Sequence, residues 1–416
     1  MENYEITVGN HHGDLVGNTN MVIQCAVDKV ASLGGGIVNI LPGTYRMDDS
    51  LHLRSCVTVR GHGEDTILWK PPSISSKVIY YLGYGHYDVS VAEPEKFHIG
   101  MGVYVSDDES KGFYGTVATI NRKNGNELGL TRMLNHDISL ECNGKVVSVY
   151  PIISGYYIND AHIENLLIDG NSQENQYLNG CRGGGIFLLQ AHDIVMRNVT
   201  VKNYNGDGIS FQQCKNTVVK DSSCIDNAGH GLHPGSGSIG SKIFNTVCSR
   251  NARYGIYYCL RVSYSLCEGC TIEKNGSHGI SIGHRDTDII IRNNHIIENQ
   301  GYGIYFRKDP MSQTGHRTLI TENTISGNSI DKGLAEIRID SSVNDLHILN
   351  NTFGKDAIYI DAPVKDVFVH GDHASSAVNV TCQSFKEEVS FCRPSIELPI
   401  DPDFVPYNAG LHLKRV

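Results

Sequence analysis

The chain has 416 residues, 40% of them apolar and only 19% charged, with 44 glycines, one tryptophan and a formal charge of −10. That composition describes a turn-rich globular β protein and excludes a disordered chain or a helical bundle. The acidic balance argues against a nonspecific grip on nucleic acid or an anionic membrane, since both need a basic surface that displaces counterions.

The amino terminus, MENYEITVGN, lacks the basic start and apolar stretch of a secretory leader, so the chain as written is expected to be cytoplasmic, or secreted if a leader has been removed. From Asn18 to Leu33, the residues Val22, Ile23, Ala26, Val27, Val30 and Leu33 follow helical spacing, with Asn18 or Thr19 as cap and Gly34 to Gly36 as stop. This helix is expected to cap the open end of a β structure. GGGIVNILPGTYRM and LHLRSCVTVRGHGEDTIL then read as strand, turn, strand, turn. From Ser76 to Tyr150 no period survives, and MGVYVSD, GTVATINR and NELGLTRML read as a small β insertion. The expected division is 1–75 for the cap and first coils, 76–155 for the insertion, 156–361 for regular coils, and 362–416 for a last coil and extended tail with Pro394 to Pro406.

From Gly183 to about Ile360 the chain repeats itself. GGGIFLL, GDGISFQ, GHGLHPG, RYGIYYC, SHGISIG and GYGIYFR place Gly185, Gly208, Gly231, Gly255, Gly279 and Gly303 at steps of 23 or 24 residues, before an insertion stretches the next step to Gly333. Asn203, Asn227, Asn251, Asn275 and Asn299 run alongside, 24 apart, and are expected to stack in tight left-handed turns. Cys224 and Cys248 continue as Ile272 and Ile296, which reads as one buried apolar stack. Cys267 and Cys270 form a lone C-x-x-C with no second pair, too little for a zinc site. Short β-branched runs bounded by Gly, Asn or Ser, recurring every ~24 residues, predict an all-β right-handed parallel β-helix with coils stacked at ~4.8 Å.

The opening HHGDLVGNTNMVIQCAVDKV, through GGGIVNILPGTY to VRGHGEDTIL, and the repeats that follow resemble the pectate-lyase-like β-helix superfamily over most of residues 10 to 360. That superfamily includes polygalacturonase-type hydrolases, polysaccharide lyases, uronate epimerases and phage tail proteins, so the resemblance implies a fold and leaves the chemistry open. NGDGIS resembles the first acidic motif of the polygalacturonase-type enzymes, with Asp207 at the matching position. One coil on, where those enzymes have paired aspartates, this chain has Gly229-His230-Gly231. SHGISIGH resembles their Gly-His-Gly segment, and YGIYFRK their substrate-binding Arg-x-Lys.

Coil register predicts a column of Asp207, His230, Tyr254, His278 and Tyr302, and beside it Phe187, Ser210, His233, Tyr257, Ser281 and Tyr305. With Gln212, Gln213, His284, Arg285, Arg307 and Lys308, these suggest a sugar-binding cleft whose aromatic faces stack on pyranose rings while Arg, Gln and His bond hydroxyls or carboxylates. Hydrolysis would use two carboxyl groups from Asp207, Asp286 and Asp309, the latter two expected to face each other at about 5 to 10 Å. Lyase or epimerase chemistry would instead use Arg285, Arg307 or Lys308 to neutralise a uronate, His230, His233 or His278 as base, and Tyr254 or Tyr302 as acid. Metal binding by His230 and His233 lacks a third ligand, and calcium would want clustered acids, so no metal or cofactor is expected. The reading is a carbohydrate-active enzyme, with a glycosidase ahead of a lyase or uronate C5-epimerase and a noncatalytic glycan-binding scaffold third. Its partner would be an oligo- or polysaccharide, with no nucleic acid and no membrane, as a monomer or homotrimer.

Overall fold

A computed structural model describes residues 4–81, 83–310, 313–329, 335–354, 357–362, 364–374 and 380–382; Gly333 and the segment from Pro394 to Pro406 lie outside the described residues. The chain divides into two compact units. One comprises Met1–Leu188, Val199–Ser210 and Asn227–Gly229, the other Leu189–Asn198, Phe211–Asp226 and His230–Val416.

In the first unit, the helix Asn20–Ser32 follows an extended Thr19 and buries Ile23, Ala26, Val27 and Val30. It packs on the strands Tyr4–Gly9 and Gly36–Ile40. Leu33, expected within the apolar stripe, is the C-cap instead and is 40% exposed. Strand pairing is parallel from Tyr4–Gly9 to Gly36–Ile40 to Val57–Trp69 to His162–Asp169. Leu51–His52 pairs in parallel with Ile153–Tyr156, which sets His52 beside Ser154. Between these coils, six antiparallel strands from Ser75 to Val147 form a separate sheet around Val89, Val103, Ile120 and Leu128. An antiparallel bridge from Val78 to Val91 joins its two edge strands, so its margins are paired.

The second unit repeats three short parallel strands per coil. In one ladder, Leu232, Ile256, Ile280, Ile304, Ile337 and Ile358 are successive partners. In another, Cys224, Cys248, Ile272 and Ile296 follow each other, all fully buried. Each such apolar side chain contributes roughly 1.5–3 kcal/mol on burial, and Cys224 and Cys248 carry free thiols that burial pushes well above their usual pKa. Parallel register with three strands per coil makes this a parallel β-helix.

The asparagine ladder differs from expectation in one respect. The left-handed residues are those just before it, Asp226, Arg250, Lys274 and Glu298, whereas Asn227, Asn251, Asn275 and Asn299 are buried connectors. Asn203 is itself a left-handed residue, so Tyr204 takes the ladder position, and its N–H donates to Asn227 Oδ1 at 3.0 Å. Asn275 shows the pattern: its Oδ1 accepts the Asn251 N–H at 3.1 Å, and its Nδ2 donates back to Cys248 O and forward to Asn299 Oδ1. The series continues through Asn328 and ends on Glu336 Oε2. A second ladder, absent from the sequence reading, runs Asn294, Asn323, Asn351 and ends on Asp372.

Candidate functional site

Side chains that precede and follow each inward Ile or Leu of the 232–306 ladder project from consecutive coils of the second unit. His230 and Tyr254 stack at 4.9 Å between ring centroids and 10° between planes, Tyr254 and His278 at 5.3 Å and 15°, His278 and Tyr302 at 5.2 Å and 12°. The second file joins them: Tyr257 lies 4.5 Å from His230 and 5.1 Å from Tyr254, Tyr305 lies 4.5 Å from His278, and His233 stands edge-on to both His230 and Tyr257. The predicted members His230, His233, Tyr254, Tyr257, His278, Tyr302 and Tyr305 thus form one wall.

Their faces are already covered by one another, so the expected stacking of pyranose rings on these faces does not fit. What the wall offers is ring edges, one set per coil. Backbone geometry fixes the chemistry of two of them. The Tyr254 N–H donates to His230 Nδ1 at 3.3 Å, and the Tyr302 N–H donates to His278 Nδ1 at 2.9 Å. With Nδ1 accepting, the neutral ring carries its proton on Nε2 and acts as a donor. His230 and His278 are therefore poor candidates for the base the sequence suggested. Tyr257 and Tyr305 are held as neutral phenols: burial raises both, Tyr305 to about 12 with Asp340 adding to the rise.

The two carboxylates expected to face each other bind the adjacent Gly283 and His284 N–H groups of one turn. Asp286 is wholly buried and accepts the Val262 and Gly283 N–H groups at 2.9 Å and Arg307 at 3.2 Å. Burial raises its carboxyl to about 7 against the lowering pull of Arg307 and these N–H groups. Asp309 instead takes the backbone N–H of His284 at 2.7 Å and faces its ring nitrogen at 3.3 Å. Each carboxyl is folded back onto a turn and occupied by protein donors, an outcome coil register alone cannot forecast. Arg307 is likewise engaged, donating to Ser281 Oγ and to the carbonyls of Tyr258 and Cys259 while lying 4.6 Å from the Tyr257 ring centre. Arg285 and Lys308 are exposed on the turns that follow the wall strands.

Asp207 belongs to the first unit, where it is buried with Gly229 so close that a methyl group there would come within 2.1 Å of Oδ1. Gln212 is fully buried in its strand. The structure adds three residues that the sequence reading missed. Arg338 and Tyr359 continue the register of Tyr305, Arg338 lies 4.1 Å over the Tyr359 ring, and Asp340 accepts from both Arg338 and the Tyr305 hydroxyl. The insertion after Gly303 broke the period that would have revealed them. Among the described residues no group of three or more His, Cys, Asp or Glu is placed to hold a metal ion.

A family model described as a right handed beta helix region matches residues 135–261 and 240–353, together more than half of the chain. No curated protein matches the sequence. Among solved structures, the A-module of the Azotobacter vinelandii mannuronan C-5 epimerase AlgE4 superposes with a TM-score of 0.59 at 14% identity, covering 93% of this chain and 100% of that one. ORF18 of Geobacillus virus E2 gives 0.54 at 11% identity, with 89% and 59% covered. PfbA, a surface adhesin of Streptococcus pneumoniae, gives 0.51 at 13% identity, with 87% and 89% covered. At such identities the likeness is one of fold.

Proposed function

The chain belongs to the right-handed β-helix family, and on that premise we propose that it is a carbohydrate-active enzyme acting on a linear acidic glycan laid along the His230–Tyr305 wall by proton transfer at a uronate. The observation that carries this reading is the continuous file of imidazole and phenol rings from His230 to Tyr305, in which backbone N–H bonds into His230 Nδ1 and His278 Nδ1 fix both rings as Nε2–H tautomers two coils apart. Such fixed donors suit the hydroxyls and carboxylates of successive sugar units, with no reorganisation needed when charge develops. Arg285 and Lys308 supply the exposed positive charge that attracts a uronate carboxylate. His233, edge-on between His230 and Tyr257, serves as base, and the half-buried, protonated Tyr257 as acid. Elimination and C5 epimerisation both begin with loss of the C5 proton, so this set supports either. Hydrolysis by Asp286 and Asp309 fits less well because both carboxyl groups are already held by protein donors.

The test is incubation with polymannuronate, polygalacturonate and a neutral glycan in D2O. Either deuterium at C5, from reprotonation on epimerisation, or the ultraviolet band of an unsaturated uronate, whose C5 keeps no hydrogen after elimination, is expected, and His233→Gln should lower the rate of that signal by about 10²–10⁴-fold. New reducing ends without either signal would overturn the reading in favour of hydrolysis, and binding without turnover would reduce the wall to a glycan scaffold.

A further inference from the structure

The first unit holds a cavity of about 300 Å3 whose lining includes Asp49, His52, Thr119, Arg132, Ser154 and Tyr156, a volume at the lower end for small-molecule sites. Parallel register places Ser154 beside His52, with Ser154 Oγ 2.9 Å from His52 Nδ1. On the far side of the ring, His52 Nε2 is 3.2 Å from Asp49 Oδ2. That carboxylate is fixed from two further directions: the Thr119 hydroxyl donates to Oδ2 at 2.6 Å and the Ser50 N–H donates to Oδ1 at 2.8 Å. Asp49 is 5% exposed and can only accept when ionised, so the imidazole proton sits on Nε2. Nδ1 is then a lone pair, and the Ser154 hydroxyl is the donor into it. A hydroxyl, an imidazole and a carboxylate in that order are nucleophile, base and orienting group. Arg132 lines the same cavity, its guanidinium 3.4 Å over the Tyr156 ring centre.

We propose that Ser154, His52 and Asp49 form a second catalytic centre, an esterase site for compact acyl esters such as an O-acetyl group on a sugar, with water as the second reactant. Ser154 Oγ bonds to the ester carbonyl carbon while its proton passes to His52 Nδ1. The bond from that carbon to the sugar oxygen then breaks, and His52 returns the proton to the leaving oxygen. Water attacks the acyl-serine, gives its proton to His52, and releases the free acid as Ser154 regains its hydrogen. Arg132 provides positive charge for the oxyanion formed in each half. Ser154 is 1% exposed, which restricts the acyl group to a small one.

The site shares no residue with the His230–Tyr305 wall, so its test is separate. The full chain is mixed with p-nitrophenyl acetate, quenched and digested, and the peptides are weighed. A stoichiometric burst and an acetyl group on Ser154 are expected. His52→Gln should slow hydrolysis by about 10²–10⁴-fold, Ser154→Ala should remove the burst, and Asp49→Asn should change the pH profile of the residual rate. Wild-type protein without acetyl-Ser154 would overturn the proposal whether or not the variants fold, as would a folded Ser154→Ala that keeps the wild-type rate.

Discussion

The wall of the second unit and the cavity of the first collect polar side chains by opposite routes. His230, Tyr254, His278 and Tyr302 meet because each is one 24-residue coil from the next, so a single repeated choice builds the whole stack. Asp49, Thr119 and Ser154 come from stretches with no shared period: Thr119 reaches Asp49 across 70 residues and Ser154 reaches His52 across 102. A site made by repetition is redundant and anchored coil to coil. One made by insertion hangs on a few particular contacts, so damage should show first in stability for the former and in chemistry for the latter.

The sharpest way to break that contrast is Arg307→Ala. It strips the buried Asp286 of its cation, and a loss of about 3–5 kcal/mol in urea unfolding is expected at pH 8. The loss should shrink at pH 5, because a carboxyl already raised to about 7 takes up a proton there and no longer needs the charge. Asn275→Ala comes next. It removes the acceptor of the Asn251 N–H and the donor to Cys248 O, both buried, and should cost about 2–3 kcal/mol by the same measurement. Gly102→Ala probes the cavity side, since the added methyl would come within 2.5 Å of Asp49 Oδ1 and 2.4 Å of the Tyr150 ring. About 1–2 kcal/mol of destabilisation is expected, with a disproportionate loss of p-nitrophenyl acetate hydrolysis; an unchanged rate would remove the contrast. The smallest effect is a slope. Burial raises Glu336 from 4.5 to about 7, so between those values the folded chain keeps a proton that the unfolded chain releases, and stability falls as pH rises through the window. Glu336→Gln should flatten that part of the decline when urea midpoints at pH 5 and pH 8 are compared.

Legibility in the sequence follows the same division. The parallel coils and the Cys224–Ile296 file were readable because identical spacing implies identical environment. The wall's membership was readable for that reason too, but not its geometry: spacing places rings above one another without saying that their faces will be used up internally. Nor does spacing tell whether Asp286 points outward or folds back onto Gly283 and Val262, since one turn residue decides it. The Asn294 ladder escaped because an insertion stretches its steps to 29 and 28 residues. Nothing local marks Asp49 or Ser154, whose meaning arises only when distant strands pair.

The two asparagine ladders also have a polarity. From Asn251 to Asn328, and from Asn294 to Asn351, each amide passes a hydrogen bond forward, and both series stop at a carboxyl, Glu336 or Asp372, which receives without passing anything on. Coil number is thereby written in side-chain chemistry rather than in chain length. A duplicated coil spliced between Asn251 and Asn275 inherits a valid sender and receiver on both sides, whereas one appended beyond Glu336 meets an acid with no amide to give. Enlargement of such a molecule has its natural entry point in the middle.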